Sequence, residues 1–272
     1  NKLGTSAADS LFSKGNIFVE GDHDALLLED GFYDFVAGYK ITSLGGRSGV
    51  EKEIETLQKA EKQGDLDKLN CFIFDLDRMP ANISSSQNVK VLQWDRYCLE
   101  NYLINRKELF DELLELGVPD IGSRGEFEKK IKEIALQQLI EVVAREKYAQ
   151  ESPEGAGLRA KDVEGRKFEE IATILSGRLM TLKSEIQSHD DNQWKANFIQ
   201  KCKSRHAELL PLWNESWIKQ ASGKRLIDDL YKEYTINISK LALKRKLSKR
   251  MCLNKTEDWT LVKSKINDAL GR

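Results

Sequence analysis

The stretch Leu69-Asn-Cys-Phe-Ile-Phe-Asp-Leu-Asp77 decides the fold class. Leu69 to Phe74 is a continuous apolar run with one polar interruption, as a strand covered on both faces requires, and it stops abruptly at two acids, Asp75 and Asp77. Upstream, Ile17-Phe18-Val19 is a second such run, ending in Glu20-Gly21. Between the two, Ala25 to Val36 carries Leu28, Phe32 and Phe35 at helical spacing, and Tyr39 to Leu44 reads as a strand closed by Gly45-Gly46 and Gly49. Val50, Ile54 and Leu57 then mark an amphipathic helix ending near Gly64. Downstream, a polar loop from Ala81 to Asn88 leads to a fourth strand at Val89 to Leu92. Strands alternating with helices at this spacing predict an α/β domain built on a parallel, Rossmann-like sheet with flanking helices.

After Trp94 the strand pattern stops. Helices are expected at Lys107–Leu116, Phe127–Tyr148 and Phe168–Ile186, the last with Ile171, Leu175, Leu179 and Leu182 in register. A loop with one proline and three glycines, Glu151 to Gly165, separates the second from the third. Further helices are expected near Asn192–Cys202 and at Ser222–Tyr234, Ile238–Met251 and Asp258–Leu270. This predicts an α/β core at 1–105, a helical accessory region at 106–215, and basic C-terminal helices at 216–272 that pack back on the core.

The 272 residues, 40% hydrophobic and 32% charged, suffice for a sizeable core. No window approaches the roughly 20 apolar residues of a membrane helix, and no signal peptide stands at the start. Four scattered cysteines, Cys71, Cys98, Cys202 and Cys252, form no CxxC pair. That argues for reduced thiols in a cytoplasmic protein and against a zinc site. A start at Asn1 rather than Met reads as a chain trimmed or cut from a longer polypeptide. The net charge of −1 conceals a gradient: −6 over residues 1–100, −4 over 101–200 and +9 over 201–272. An acidic front and a basic tail suit a cation site at one end and a polyanion contact at the other, though a basic solvated helix surface has the same composition. No GxxxxGK[ST] occurs, which excludes a P-loop ATPase within these residues.

In an open parallel sheet, ligands bind beyond the carboxyl ends of the strands. Glu20 lies at that end of the first strand, Asp75 and Asp77 at that end of the third, and Asp24 four residues past Glu20 at a helix start. Residues two apart at a strand end project to one side, which lets Asp75 and Asp77 converge. Carboxylates gathered at one edge raise each other's pKa, a penalty that a divalent cation removes, and an all-oxygen donor set suits Mg²⁺ or Mn²⁺. Each acid alone has an ordinary explanation: Asp24 as a charge favoured by a helix dipole, Asp75 as a turn cap.

Phe18-Val-Glu-Gly-Asp-His-Asp24 resembles the first signature of TOPRIM domains, an apolar strand followed by E-G-x-x-D. Phe72-Ile-Phe-Asp-Leu-Asp77 resembles the second, an apolar strand followed by D-x-D. The Gly45-Gly46 turn is similar to that of OLD-like members. Arg96-Tyr-Cys-Leu-Glu-Asn-Tyr-Leu-Ile104 resembles a subgroup of them fused to, or encoded beside, ABC/SMC-type ATPases in bacterial anti-phage systems, PARIS-type nuclease subunits in particular. The signatures cover about the first hundred residues. The resemblance implies metal-assisted phosphodiester cleavage: Glu20, Asp75 and Asp77 around one Mg²⁺, with Asp24 and Glu100 assisting a second ion or orienting water. Two ions ~4 Å apart stabilise both the attacking and the leaving oxygen. It further implies a toxic endonuclease, restrained until an ATPase partner or fused ATPase domain releases it, acting on tRNA, and homodimeric when active. The alternatives are an OLD-like enzyme that nicks DNA and a non-catalytic TOPRIM regulatory subunit. A HAD-type phosphatase is more distant: FDLDR begins like its first motif, but Arg78 and Met79 replace the expected continuation.

OLD-like nucleases carry a lysine in a Gly-Lys context like Ser222-Gly-Lys224. Ser222 is a natural N-cap, whereas Lys224 and Arg225 in a first turn oppose the helix dipole, which hints at a phosphate contact. In Lys240-Leu-Ala-Leu-Lys-Arg-Lys-Leu-Ser-Lys-Arg250, Leu241, Leu247 and the following Met251 face a core, while Lys244, Arg245, Lys246, Lys249 and Arg250 face solvent. That face reads either as a phosphate-backbone surface or as a dock for an acidic partner.

Overall fold

A computed structural model describes residues 14–78, 80–151 and 191–271. The expected helix Phe168–Ile186 and the loop that precedes it lie outside the described residues. Four parallel strands form one sheet in the order β2-β1-β3-β4: β1 (Gly15–Val19), β2 (Tyr39–Ser43), β3 (Leu69–Phe74) and β4 (Val89–Gln93). Helices connect them: α1 (Asp22–Gly31) and the short α2 (Tyr33–Val36) between β1 and β2, and α3 (Arg47–Gln63) between β2 and β3. This is a Rossmann-like α/β arrangement.

The alternation of β3 explains both covers of the sheet. Phe72 and Phe74 point to one side, where they pack with Val50 and Ile54 of α3. Phe18 stacks on Phe72 at 4.6 Å between ring centroids. Ile17, Val19 and Ile73 serve the other side and are buried. Each fully buried aromatic or aliphatic side chain contributes about 1.5–3 kcal/mol. The helix expected over Ala25–Val36 breaks at Phe32. Gly31 lies so close to Ser248 and Trp259 that a Cβ there would clash with both, and Phe32 stacks on Trp259 at 4.9 Å. Tertiary packing, which periodicity does not report, ends α1 one turn early.

The chain divides into two compact units, residues 1–135 with 216–272 and residues 136–215. The C-terminal helices therefore belong to the unit that holds the sheet, and that unit extends past residue 105. It adds α4 (Glu100–Leu103), α5 (Arg106–Glu115) capped by Asn105, and the start of α6 (Arg124–Glu151). The helix expected near Asn192–Cys202 is the start of α7 (Asp191–Gln220), which continues through Pro211 and bends at Ser216. A proline removes one backbone hydrogen bond without always ending a helix. Beyond the bend come α8 (Gly223–Glu233), α9 (Lys240–Leu253) and α10 (Glu257–Ala269), capped by Ser222, Ser239 and Thr256. In the second unit, Arg205 bridges Glu146 of α6 and Glu208 at 3.0 Å each.

α9 departs from the expected orientation. Lys244 does not face solvent; it is 7% exposed and turned into the protein. Its neighbours on α9 tie the helix to α1 and α5. Arg245 grips Asp30 through two nitrogens, with Lys249 on the same carboxylate at 3.3 Å. Lys246 meets Glu112 at 3.2 Å, and Arg250 reaches Glu108, Glu112 and Glu115 at 2.8–3.1 Å. The acidic partner of this basic helix lies within the chain itself. No helix among the described residues is long and apolar enough to cross a membrane.

Candidate functional site

Parallel pairing of β1 with β3 in the register Phe18↔Phe72 brings their carboxyl ends side by side. Glu20 and Asp75 each follow their strand directly, and Glu20 Oε1 accepts a hydrogen bond from the Asp75 backbone N–H at 3.0 Å. Asp24 sits in the first turn of α1. The N-cap of that helix is Gly21, which has no capping side chain, and Asp24 Oδ2 accepts the Gly21 N–H at 3.0 Å instead. Its other oxygen, Oδ1, is buried without a partner.

Asp75 is the hub, 3% exposed. Its Oδ1 accepts the Leu99 N–H at 3.2 Å and its Oδ2 accepts from the Lys224 ammonium at 2.6 Å. Lys224 comes from the first turn of α8 and is half-exposed. Glu100 opens α4, fully buried; Oε1 accepts from Lys244 at 2.7 Å and Oε2 has no partner. Asp77 does not continue the strand alternation. The strand ends at Phe74, and Asp77 and Arg78 take left-handed φ values of 44° and 60°. Such a pair of non-glycine residues is strained by about 1–3 kcal/mol each and is held here by the Asp77 N–H donating to the Tyr97 carbonyl at 3.0 Å.

These groups feel one another. Burial, then the charges of Asp75 and Glu100, push the Asp24 carboxyl up to about 7. Burial raises Asp75 to about 6 despite the opposing Lys224, with Glu100 and Asp77 adding to the rise. Burial and the neighbouring Asp75 also raise Glu20. Burial opposes ionisation of Glu100, but Lys244 and Lys224 outweigh it and hold its pKa below the usual carboxylate value. Burial works against the charge of Lys224, and Asp75, Glu100 and Asp24 reverse that and raise its pKa. The thiol of Cys98, enclosed beside this cluster, is driven well above its ordinary pKa by burial and by Glu100, which makes it a poor nucleophile.

Glu20, Asp24, Asp75, Asp77, Glu100 and Lys224 thus form one electrostatic cluster at the carboxyl edge of the sheet. Arg225 lies 3.8 Å from Asp229 on its own helix. Lys244 joins the cluster from beneath, through Glu100, whereas Arg245, Lys246, Lys249 and Arg250 are engaged on α1 and α5. Residues that motif spacing did not single out complete the site. Asn101 and Gly223 fix the turn that carries Lys224, and the Tyr97 N–H donates to the Lys219 carbonyl at 3.1 Å. Asn101 and Gly223 both lie in stretches that carry the resemblance, residues 96–104 and 222–224, as neighbours of Glu100 and Lys224 rather than as site residues.

Among the described residues, no three His, Cys, Asp or Glu side chains converge tightly enough to hold a metal ion as they stand. The donor chemistry nevertheless fits a hard divalent cation. Two buried carboxylate oxygens, Asp24 Oδ1 and Glu100 Oε2, lack any partner, and Glu20, Asp24 and Asp75 are destabilised in their charged forms. No family model matches the sequence, and no curated protein matches it.

Proposed function

We propose that this chain is a metal-dependent phosphodiesterase, an endonuclease whose site is the carboxylate cluster around Asp75. The observation that carries the reading is the gathering of buried acids with raised pKa values around the Lys224 ammonium, at the sheet edge where α/β proteins bind ligands. Such clustering destabilises the fold, and a site that binds a cation and a phosphodiester gives a reason for it.

Glu20, Asp75 and Asp77 would hold Mg²⁺ or Mn²⁺, with Asp24 and Glu100 available to a second ion. The bound ion would supply Lewis-acid polarisation of the phosphoryl group and activation of water. The open Oδ1 of Asp24 is suited to orient water and, once the carboxyl is ionised, to take its proton. The Lys224 ammonium, kept charged by Asp75, offers its positive charge to a non-bridging phosphate oxygen as negative charge builds there. Glu100, locked by Lys244, keeps negative potential beneath Lys224 and fixes the floor of the site.

The finer reading rests on the resemblance of the two acidic signatures: a cytoplasmic effector of anti-phage defence, cutting tRNA, dimeric when active, and held in check by an ATPase partner. The test is incubation of wild type and Glu20→Ala with tRNA, single-stranded and duplex DNA in Mg²⁺ and in Mn²⁺, with and without an ABC/SMC-type ATPase. Cleavage by wild type alone supports the nuclease, and the chemistry of the ends identifies the substrate class. Intact substrates in every arm refute it.

A further inference from the structure

Lys224 reaches Asp75 from a turn that Ser222 caps locally and that a distant residue seats on the sheet edge. A lysine side chain has four rotatable bonds, and the first turn of α8 opposes a cation through the helix dipole. The position of the turn therefore decides where the ammonium lies. Arg78 donates to the Gln220 carbonyl at 3.0 Å and Ser222 caps α8, but the side chain with most bonds to that turn is Asn101. Asn101 is fully buried. Its amide nitrogen donates to the carbonyls of Ile218 and Ala221 at 2.5 and 2.7 Å. Its Oδ1 accepts the N–H of Gly223 at 3.0 Å and that of Cys98 at 3.1 Å. Three of these bonds reach the junction between α7 and α8, while the Cys98 N–H and, at 3.0 Å, the Cys98 thiol donate to the same Oδ1 at the turn that presents Glu100.

Gly223 shows how close the fit is. A Cβ on it would stand 2.6 Å from the Asn101 backbone nitrogen and 2.8 Å from both Asn101 Oδ1 and the Glu100 carbonyl carbon. Two of these are backbone atoms, which have no room to yield. Gly223 and Lys224 are adjacent, as are Asn101 and Glu100, so one contact between backbones sets the cation above the anions.

We infer that Asn101 is a positioning residue: through the turn 218–223, seated against it by Gly223, it places the Lys224 ammonium on Asp75. Asn101 meets no substrate itself. Its catalytic consequence rests on the nuclease reading, but the placement of Lys224 does not. A merely structural asparagine would weaken the fold and leave Lys224 in place whenever the protein is folded.

The test uses the full chain in two forms, Asn101→Ala and Gly223→Ala, the second serving if the first does not fold. Crystal structures of folded variants are expected to show Lys224 Nζ withdrawn from Asp75 Oδ2, with the Lys244–Glu100 pair intact. In cleavage assays, kcat is expected to fall on the order of 100-fold with KM little changed, the loss typical of an ångström-scale misplacement. In a Lys224→Ala background, adding Asn101→Ala should cause no further loss, because the two act through one group. An ammonium still on Asp75 in both variants, or losses that multiply in the double variant, would overturn the proposal. Wild type that cuts nothing under any condition refutes the nuclease reading, while withdrawal of Lys224 in the variants still supports the positioning role.

Discussion

Two acidic clusters in the first unit have opposite electrostatics. On the outer seam, Asp30, Glu108 and Glu115 face Arg245, Lys249 and Arg250 of α9, and their pKa values are lowered. At the sheet edge, Glu20, Asp24 and Asp75 share one nearby lysine, and their pKa values are raised. Acids of the first kind stabilise a fold, because each favours its charged form in the native state. Acids of the second kind destabilise it above their pKa and persist where function requires them. Glu100 stands between the two: it belongs to the sheet edge by position and to the seam by its lowered pKa and its pairing with Lys244.

Substitutions can break this contrast. The largest effect on cleavage belongs to Glu20→Gln. The amide keeps an oxygen for the Asp75 N–H, so thermal stability should change little, while cleavage falls roughly 100- to 1,000-fold, ~3–4 kcal/mol in the barrier. Next is Lys244→Met, which leaves the charge of Glu100 buried and unpaired. Removing one partner of a buried ion pair costs about 3–5 kcal/mol, and melting should shift down by roughly 10 °C in calorimetry. Adding Glu100→Gln should recover part of that loss.

Asp24→Asn sharpens the comparison because the sign reverses. The folded pKa of Asp24 is raised from 3.8 to about 7, so its stabilising contribution is fully present below pH 3.8 and is lost as pH rises through 7. In chelator at pH 8 the variant should be more stable than wild type by about 1–3 kcal/mol, and at pH 4 the two should coincide. Urea unfolding at both pH values measures this. The smallest effect is on the seam: Arg245→Ala should lose ~0.5 kcal/mol at low salt, less at high salt, because its side chain is 43% exposed.

The sheet and the candidate ligands were legible because both are written locally. An apolar run that stops at an acid gives a strand and its carboxyl end together, and Glu20 and Asp75 follow from that alone. What escaped was set by distant partners. Nothing within Lys240–Arg250 tells that Lys244 turns inward to Glu100 while Arg245 and Arg250 are met by Asp30 and Glu108 more than a hundred residues away in sequence. The left-handed turn at Asp77–Arg78 depends on the Tyr97 carbonyl, and Asn101 has its meaning only once Gly223 is beside it. Polar side chains that bind backbone leave no periodicity for a sequence to display.

The central claim is that the sheet-edge acids form a cation site, and calorimetric titration of Mn²⁺ into wild type and Glu20→Gln tests it without waiting for a substrate or an activator. The account predicts saturable binding to wild type, accompanied by proton release near pH 7 as Asp24 ionises, and binding at least tenfold weaker in the variant. No saturable binding, or equal binding in both proteins, would contradict it.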